Sequence, residues 1–281
     1  MKNFFGMALS QVGYSHIKKG KCCQDSSAYF HGKNYEAIVV CDGHGGEKHF
    51  RSEIGSKIAV EICKKTVEEF VKCISNRNDH NRLNELISDY GKHLIFLWRE
   101  KIREHYEQNP FLQNEEQLLD KTIFNDIQAN PHIAYGTTLI LIIACKDNLF
   151  IIKLGDGEVR LLKGNDVLSP ILDDELTFGK TASLCNFDAS ERLHSMVLPL
   201  KEVDCSIIST DGVINSFETV KHFENFCKTL SKEFNSEEIA EFENELCEFL
   251  PALSEQGSGD DVSIAILSHN EEKNTKKSNR M

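Results

Sequence analysis

The stretch Ala37-Ile38-Val39-Val40-Cys41-Asp42-Gly43-His44-Gly45-Gly46 decides how this chain folds. Its apolar first half reads as a strand that ends at Asp42. Its glycine-rich second half lets the backbone turn closely into whatever follows. After Gly46 the pattern changes to a helical period, with Ile54, Ile58, Ile62, Val67 and Phe70 recurring near three- and four-residue spacing. A strand, an acidic turn and a long helix are therefore expected in direct succession.

Working outward, Phe4 to Leu9 and Ser26 to Phe30 are further strand candidates, each closed by polar or turn-forming residues. Residues 76–131 hold Leu83, Leu86, Leu94, Ile95, Leu97 and Trp98 among charges, then a polar part broken by Pro110, so a helical insertion or a long second helix is predicted. Trp98 belongs on the core face of that helix. Thr137 to Cys145, Leu149 to Lys153 and Glu158 to Leu162 form an antiparallel meander, punctuated by Lys146-Asp147-Asn148 and Gly155-Asp156-Gly157. Strands at Ser195 to Leu198 and Asp204 to Ser209, helices at Phe217 to Leu230 and Ser236 to Leu250, and a last strand at Val262 to Leu267 complete the order. Strands grouped apart from helices favour an α+β fold of antiparallel sheets flanked by helices and exclude a Rossmann arrangement. One domain over residues 1–268 is expected, followed by a disordered, nearly apolar-free tail over 269–281.

Composition narrows the function classes. The chain has 281 residues, 40% of them hydrophobic, and no apolar run of 18 or more that would span a bilayer. A formal net charge of −12 argues against a nucleic-acid or anionic-membrane surface, because phosphate polymers would be repelled. The ten cysteines form no CxxC pair, so a zinc knuckle is not expected. Cys41, Cys145 and Cys205 fall inside apolar strands, where thiols behave as small hydrophobes. That pattern suits a reducing, cytoplasmic setting, with export lacking a recognisable signal left open.

Four aspartates share one situation, at a strand end beside a glycine or a second carboxylate: Asp42, Asp156, Asp211 and Asp260. Singly each reads as a turn residue. Together they predict strand ends converging on one acidic cavity, where the carboxylates would repel one another unless cations intervene. All-oxygen ligation suits Mg²⁺ or Mn²⁺ rather than zinc.

Asp42-Gly43-His44-Gly45-Gly46, Gly136-Thr137-Thr138, Gly155-Asp156-Gly157, Ser209-Thr210-Asp211-Gly212 and Gly259-Asp260-Asp261-Val262-Ser263 resemble, in order and spacing, the PP2C family of metal-dependent serine/threonine phosphatases. The resemblance spans residues 5 to 268. Ser15 to Asp25 is similar to the Gln-Asp version of a bacterial branch of that family. It implies an α-β-β-α sandwich of two antiparallel sheets, with a binuclear Mg²⁺ or Mn²⁺ site acting on phosphoserine or phosphothreonine in a protein substrate. Position by position, it makes Asp42 the carboxylate bridging two metals and Gly43 a carbonyl ligand, with Asp211 and Asp260 completing the site. Asp156 would help Asp211 hold a weaker third ion, and Asp25, beside Gln24, would orient water. Paired ions would acidify the attacking water. His44, expected to be protonated because the acidic cluster raises its pKa, would donate to the departing oxygen.

Three positions depart from the better-known pattern: Gln24 replaces a glutamate, Gly20 stands where a phosphate-binding arginine would be, and Asn215 replaces an aspartate. Lys18, Lys19, Lys21 or Arg51 are candidates for the missing cation, though each also reads as a solvated charge. His16, His31, His49 and His194 lack metal-ligand spacing and read as ordinary surface or hydrogen-bonding residues. A cysteine phosphatase is excluded, since no cysteine is followed six residues later by arginine. The remaining rival is a catalytically weak binding module of the same fold, docking a partner through residues 76–131.

Overall fold

The computed structural model describes residues 4–77, 79–116, 119–171, 181–236 and 238–269. The chain opens with β1 (Phe4–Gln11), the short helix α1 (Tyr14–Lys18), β2 (Ser26–Gly32) and β3 (Tyr35–Cys41). Helices α2 (Ser52–Ile74), α3 (His80–Gln108), α4 (Gln113–Glu116) and α5 (Lys121–Ala129) follow. The meander comprises β4 (Leu139–Cys145), β5 (Asn148–Leu154), β6 (Glu158–Lys163) and β7 (Asp166–Leu168). Then come β8 (His194–Pro199), β9 (Cys205–Ser209), α6 (Asp211–Ile214), α7 (Val220–Ser236), α8 (Ile239–Gln256) and β10 (Val262–His269).

The strands form two five-stranded antiparallel sheets, ordered β1-β10-β9-β6-β7 and β2-β3-β4-β5-β8. Period-two alternation explains why they stack. Along β3 and β4, Ile38, Val40, Ile140 and Ile142 face Val159, Leu161, Ile208 and Ala265 of the other sheet and form the inner core. The intervening residues Ala37, Val39, Leu139, Leu141 and Ile143 face α2 and α3 instead. On the far side, Ile207, Ile264 and Ile266 pack against Phe223, Phe234, Phe242 and Leu246 of α7 and α8. Each fully buried aliphatic side chain contributes about 1.5–3 kcal/mol, which is why β4 carries no polar residue. The expected sandwich of two antiparallel sheets between helical layers is what the chain adopts.

Residues 80–108 make one continuous helix that lies on the sheet, burying Leu83, Ile87, Tyr90, Leu94, Ile95, Trp98 and Ile102. It begins on a cap in which the Asp79 side chain accepts a hydrogen bond from Arg82 N at 2.8 Å. Trp98 is fully buried and donates from Nε1 to Gly55 O at 2.9 Å, tying α3 to α2. Cys41, Cys145 and Cys205 are buried, and all ten cysteines are free thiols. No helix among the described residues is long and apolar enough to cross a membrane. The tail expected to be disordered lies, from residue 270 onward, outside the described residues. Strand β7 is not foreshadowed by the sequence pattern, because three residues are too few for a period to show.

Register brings the acidic turns to one end. Ser26 pairs with Cys41, Leu139 with Leu154, Glu158 with Ser209 and Gln11 with Val262. The segments that leave these strand ends therefore all emerge on the same side of the sandwich.

Candidate active site

The turn after β3 is clamped by the residues that precede β4. Asp42 O accepts from Thr138 N at 2.9 Å and from Thr137 Oγ1 at 2.7 Å, while Asp42 N donates to Thr138 Oγ1 at 2.9 Å. Gly43 forms a bridge with Thr137, and His44 N donates to Gly136 O at 3.0 Å. A Cβ on Gly43 would stand 2.2 Å from Gln24 O, so only glycine fits where the two segments cross. Gly46, at φ +96°, then takes a left-handed conformation that swings the chain toward α2.

Around this turn the predicted carboxylates assemble. Asp42 has its pKa pushed well up, first by burial and then by Asp25, Asp211 and Asp156. Asp211 is raised by burial, then by Asp156, with Asp260 adding to it. Asp25 is raised by burial, by Asp261 and more weakly by Asp260. The structure thus brings Asp25, Asp42, Asp156, Asp211 and Asp260 to one end of the sandwich.

Each member has its own support. Thr210 Oγ1 donates to Asp25 Oδ2 at 2.9 Å, and Thr181 Oγ1 donates to Asp156 Oδ2 at 2.5 Å. Asn215 Nδ2 donates to Asp211 Oδ2 at 3.0 Å, a bond an aspartate at 215 could not make. Asp260 is exposed, with Oδ1 accepting from Asp261 N at 2.9 Å.

The donor set fits a hard divalent cation. It is all oxygen, it is crowded enough to resist ionisation, and a bound dication would reverse that resistance. Among the described residues no three His, Cys, Asp or Glu side chains close round a single point by themselves.

Asp261 does not stand out in the sequence pattern, yet it is one of the most deeply held carboxylates here. It is 3% exposed and accepts from Gly13 N at 2.6 Å, Gln24 N at 2.6 Å and His16 Nδ1 at 2.9 Å. The adjacent pair Asp260-Asp261 carries a usable signal, since neighbouring residues entering a strand point opposite ways. Gln24, beside the Asp25 expected to orient water, donates its side-chain amide to Ser52 Oγ at 2.7 Å, and its backbone carbonyl accepts from Ser56 Oγ at 2.6 Å.

One histidine expectation changes. His44 is expected from its neighbours in sequence to be protonated by the acidic cluster, but its pKa is pushed down to about 4, first by burial and then by Lys48. Its ring centroid lies 5.0 Å from that of His49. His49 is itself buried, held down to about 4 by burial, with Nδ1 donating to Ile133 O at 2.5 Å. His16, expected as a surface or hydrogen-bonding residue, is the latter, buried against Asp261, and His31 is exposed.

Arg51 does not serve as a replacement for the missing arginine. All of its guanidinium nitrogens are engaged: Nε and Nη2 with Glu115 at 2.9 and 2.8 Å, Nη1 with Asn109 O and Tyr135 Oη at 2.6 and 2.8 Å, and Nη2 with Pro110 O at 3.0 Å. It stacks on Phe111 and ties the 109–116 segment to the start of α2. Lys18 lies over the Tyr14 ring at 4.1 Å, and Lys19 and Lys21 are exposed.

Comparison with known proteins agrees with the fold. The family model described as Protein phosphatase 2C matches residues 12–251, and the chain belongs to that family. No curated protein sequence matches the chain. Among solved structures, a bacterial serine phosphatase superposes with a TM-score of 0.61 at 14% identity, covering 95% of this chain and 98% of that one. Stp1 from Staphylococcus aureus, a serine/threonine phosphatase, gives 0.58 at 15% identity over 95% and 96% of the two chains. The catalytic domain of the serine/threonine phosphatase PstP, in complex with two manganese ions, gives 0.56 at 14% identity over 94% and 97%. At such identities the likeness is one of fold.

Proposed function

We propose that the chain is an active metal-dependent phosphatase that hydrolyses phosphoserine and phosphothreonine in protein substrates. The observation that carries this reading is the convergence of five aspartates, among which burial first and mutual repulsion second oppose ionisation of Asp25, Asp42 and Asp211. A scaffold kept only for binding has no physical reason to retain such a cluster, which costs stability in the absence of a compensating cation.

Asp42, the Gly43 carbonyl, Asp211 and Asp260 would hold the ions in this reading, and Asp156 would help Asp211 with a weaker third. Two such ions, Mg²⁺ or Mn²⁺, supply charge neutralisation on the phosphoryl group and a water acidified enough to attack phosphorus. The protein's share is placement. Thr137 and Thr138 fix the Asp42 backbone, Thr210 fixes Asp25, and Asn215 restrains Asp211. His44, neutral at pH 7, offers an N–H hydrogen bond to the departing seryl or threonyl oxygen rather than a full positive charge.

The alternative, a partner-docking module using residues 76–131, has less to hold. The apolar face of α3 is already spent on the sheet. The deciding experiment is phosphate release from phosphoserine, phosphothreonine and phosphotyrosine peptides with Mn²⁺, Mg²⁺ or chelator. Metal-dependent release from the first two is expected; release that persists in chelator, or is confined to phosphotyrosine, contradicts the reading.

A further inference from the structure

We infer that Asp261 and His16 form a positioning pair that holds Asp25 and Asp260 in register with each other and so tunes the affinity of the acidic cluster for divalent cations. The inference rests on the metal-dependent reading above and adds two residues to it.

Asp25 and Asp260 belong to segments far apart in sequence, yet both act on the same cluster. Asp261 is the joint between them. Its Oδ2 accepts from Gln24 N, the residue immediately before Asp25, and its own N–H donates to Asp260 Oδ1. Its Oδ1 accepts both from Gly13 N and from His16 Nδ1. One buried carboxylate thereby fixes the turn into α1, the segment leading to Asp25 and the loop bearing Asp260. Hydrogen bonds that involve a carboxylate are about twice as strong as neutral ones, so the joint is stiff.

Other bonds bring the same segments together without replacing this one. Ser15 N donates to Gly259 O at 2.8 Å, Tyr14 N donates to Ser254 Oγ at 3.0 Å, and Ser254 Oγ donates to Asp260 O at 2.7 Å. These position backbone. Among these groups Asp261 alone reaches across to the Gln24–Asp25 segment, and His16 supplies it with a side-chain donor. An asparagine at 261 would have one acceptor oxygen for three donors and would turn an N–H group toward another N–H. His16, for its part, must carry its proton on Nδ1 to serve Oδ1.

The test is Mn²⁺ affinity, measured by titration calorimetry or by the electron paramagnetic resonance signal of free Mn²⁺, so that turnover does not enter. Residues that orient metal ligands from outside cost about 10–100-fold in affinity when lost. His16→Leu, similar in bulk but without a donor, is expected to weaken Mn²⁺ binding by about 10-fold, the lower end of that range. His16→Asn, whose Nδ2 can stand where the imidazole Nδ1 stood, is expected to restore binding close to the wild type. Asp261→Asn is nearly isosteric and is expected to weaken binding at least as much as His16→Leu, and it carries the test should the leucine variant not fold. Wild-type affinity in both His16→Leu and Asp261→Asn would overturn the pair while leaving the metal reading intact, as would an asparagine at 16 no better than leucine. A wild-type protein that takes up no Mn²⁺ would overturn the metal reading and the pair with it.

Discussion

Thr138 grips Asp42 from both sides: its N–H donates to the Asp42 carbonyl and its Oγ1 accepts from the Asp42 N–H, each at 2.9 Å. The turn that carries the central carboxylate is therefore not a free loop but an extension of the β3–β4 pairing by one residue on each strand. Thr138→Val keeps the shape and removes the acceptor. Leaving a buried N–H unsatisfied costs about 1–3 kcal/mol, which a urea unfolding midpoint should register. Unchanged stability would mean that the turn holds itself.

Arg51 separates a structural cation from a substrate-binding one. Arg51→Met removes a donor from Glu115, Tyr135 and two carbonyls, and a hydrogen bond to a charged group contributes about 1.5–3 kcal/mol. Thermal stability should fall while KM for a small phosphate ester hardly moves. A raised KM with full stability would return Arg51 to the phosphate.

Stability should depend on pH with a sign set by the cluster. Asp25, Asp42 and Asp211 have folded pKa values above the ordinary 3.8, so the metal-free folded chain holds more protons than the unfolded one. Their contribution is fully present below pH 3.8 and is lost as pH rises through the folded values. His44 and His49 oppose this, since lowering from 6.5 to about 4 makes their contribution disappear as pH falls through that window. Comparing Asp211→Asn with the wild type cancels the histidines. In chelator, the variant should be the more stable protein at pH 7.5, and that advantage should shrink toward pH 4. An Asp211→Asn protein less stable than the wild type at pH 7.5 would show that the cluster is not under strain.

His44 can be tested through the leaving group. Its loss should depress turnover on an alkyl phosphate much more than on a nitrophenyl ester, whose departing oxygen needs no donor. Equal losses with His44→Ala on the two substrates would make it a packing residue.

Much of this site is legible in the amino-acid sequence. Asp42, Asp156 and Asp211 stand out because an apolar run stopping at Asp-Gly marks a strand end, and several such ends in an antiparallel sandwich must share a face. Asp261 is hidden because alternation entering β10, which sends it inward and leaves Asp260 exposed, is visible only once the strand's start is known. Arg51 looks like a surface charge in the sequence since its counterion, Glu115, comes from a segment that folds back much later in the chain. Nearness in sequence misleads for His44: two residues from Asp42, it is carried by the glycine turn toward His49 and Lys48, and burial then decides its protonation.

The central claim is that Asp42 holds divalent cations for the hydrolysis of phosphoserine and phosphothreonine. It is tested most directly by the initial rate of phosphate release from a phosphothreonine peptide in Mn²⁺, for the wild type and for Asp42→Asn. The account predicts rapid release by the wild type and a rate at background for the variant, with the variant folded and its Mn²⁺ affinity severely reduced. Full activity in folded Asp42→Asn would contradict it.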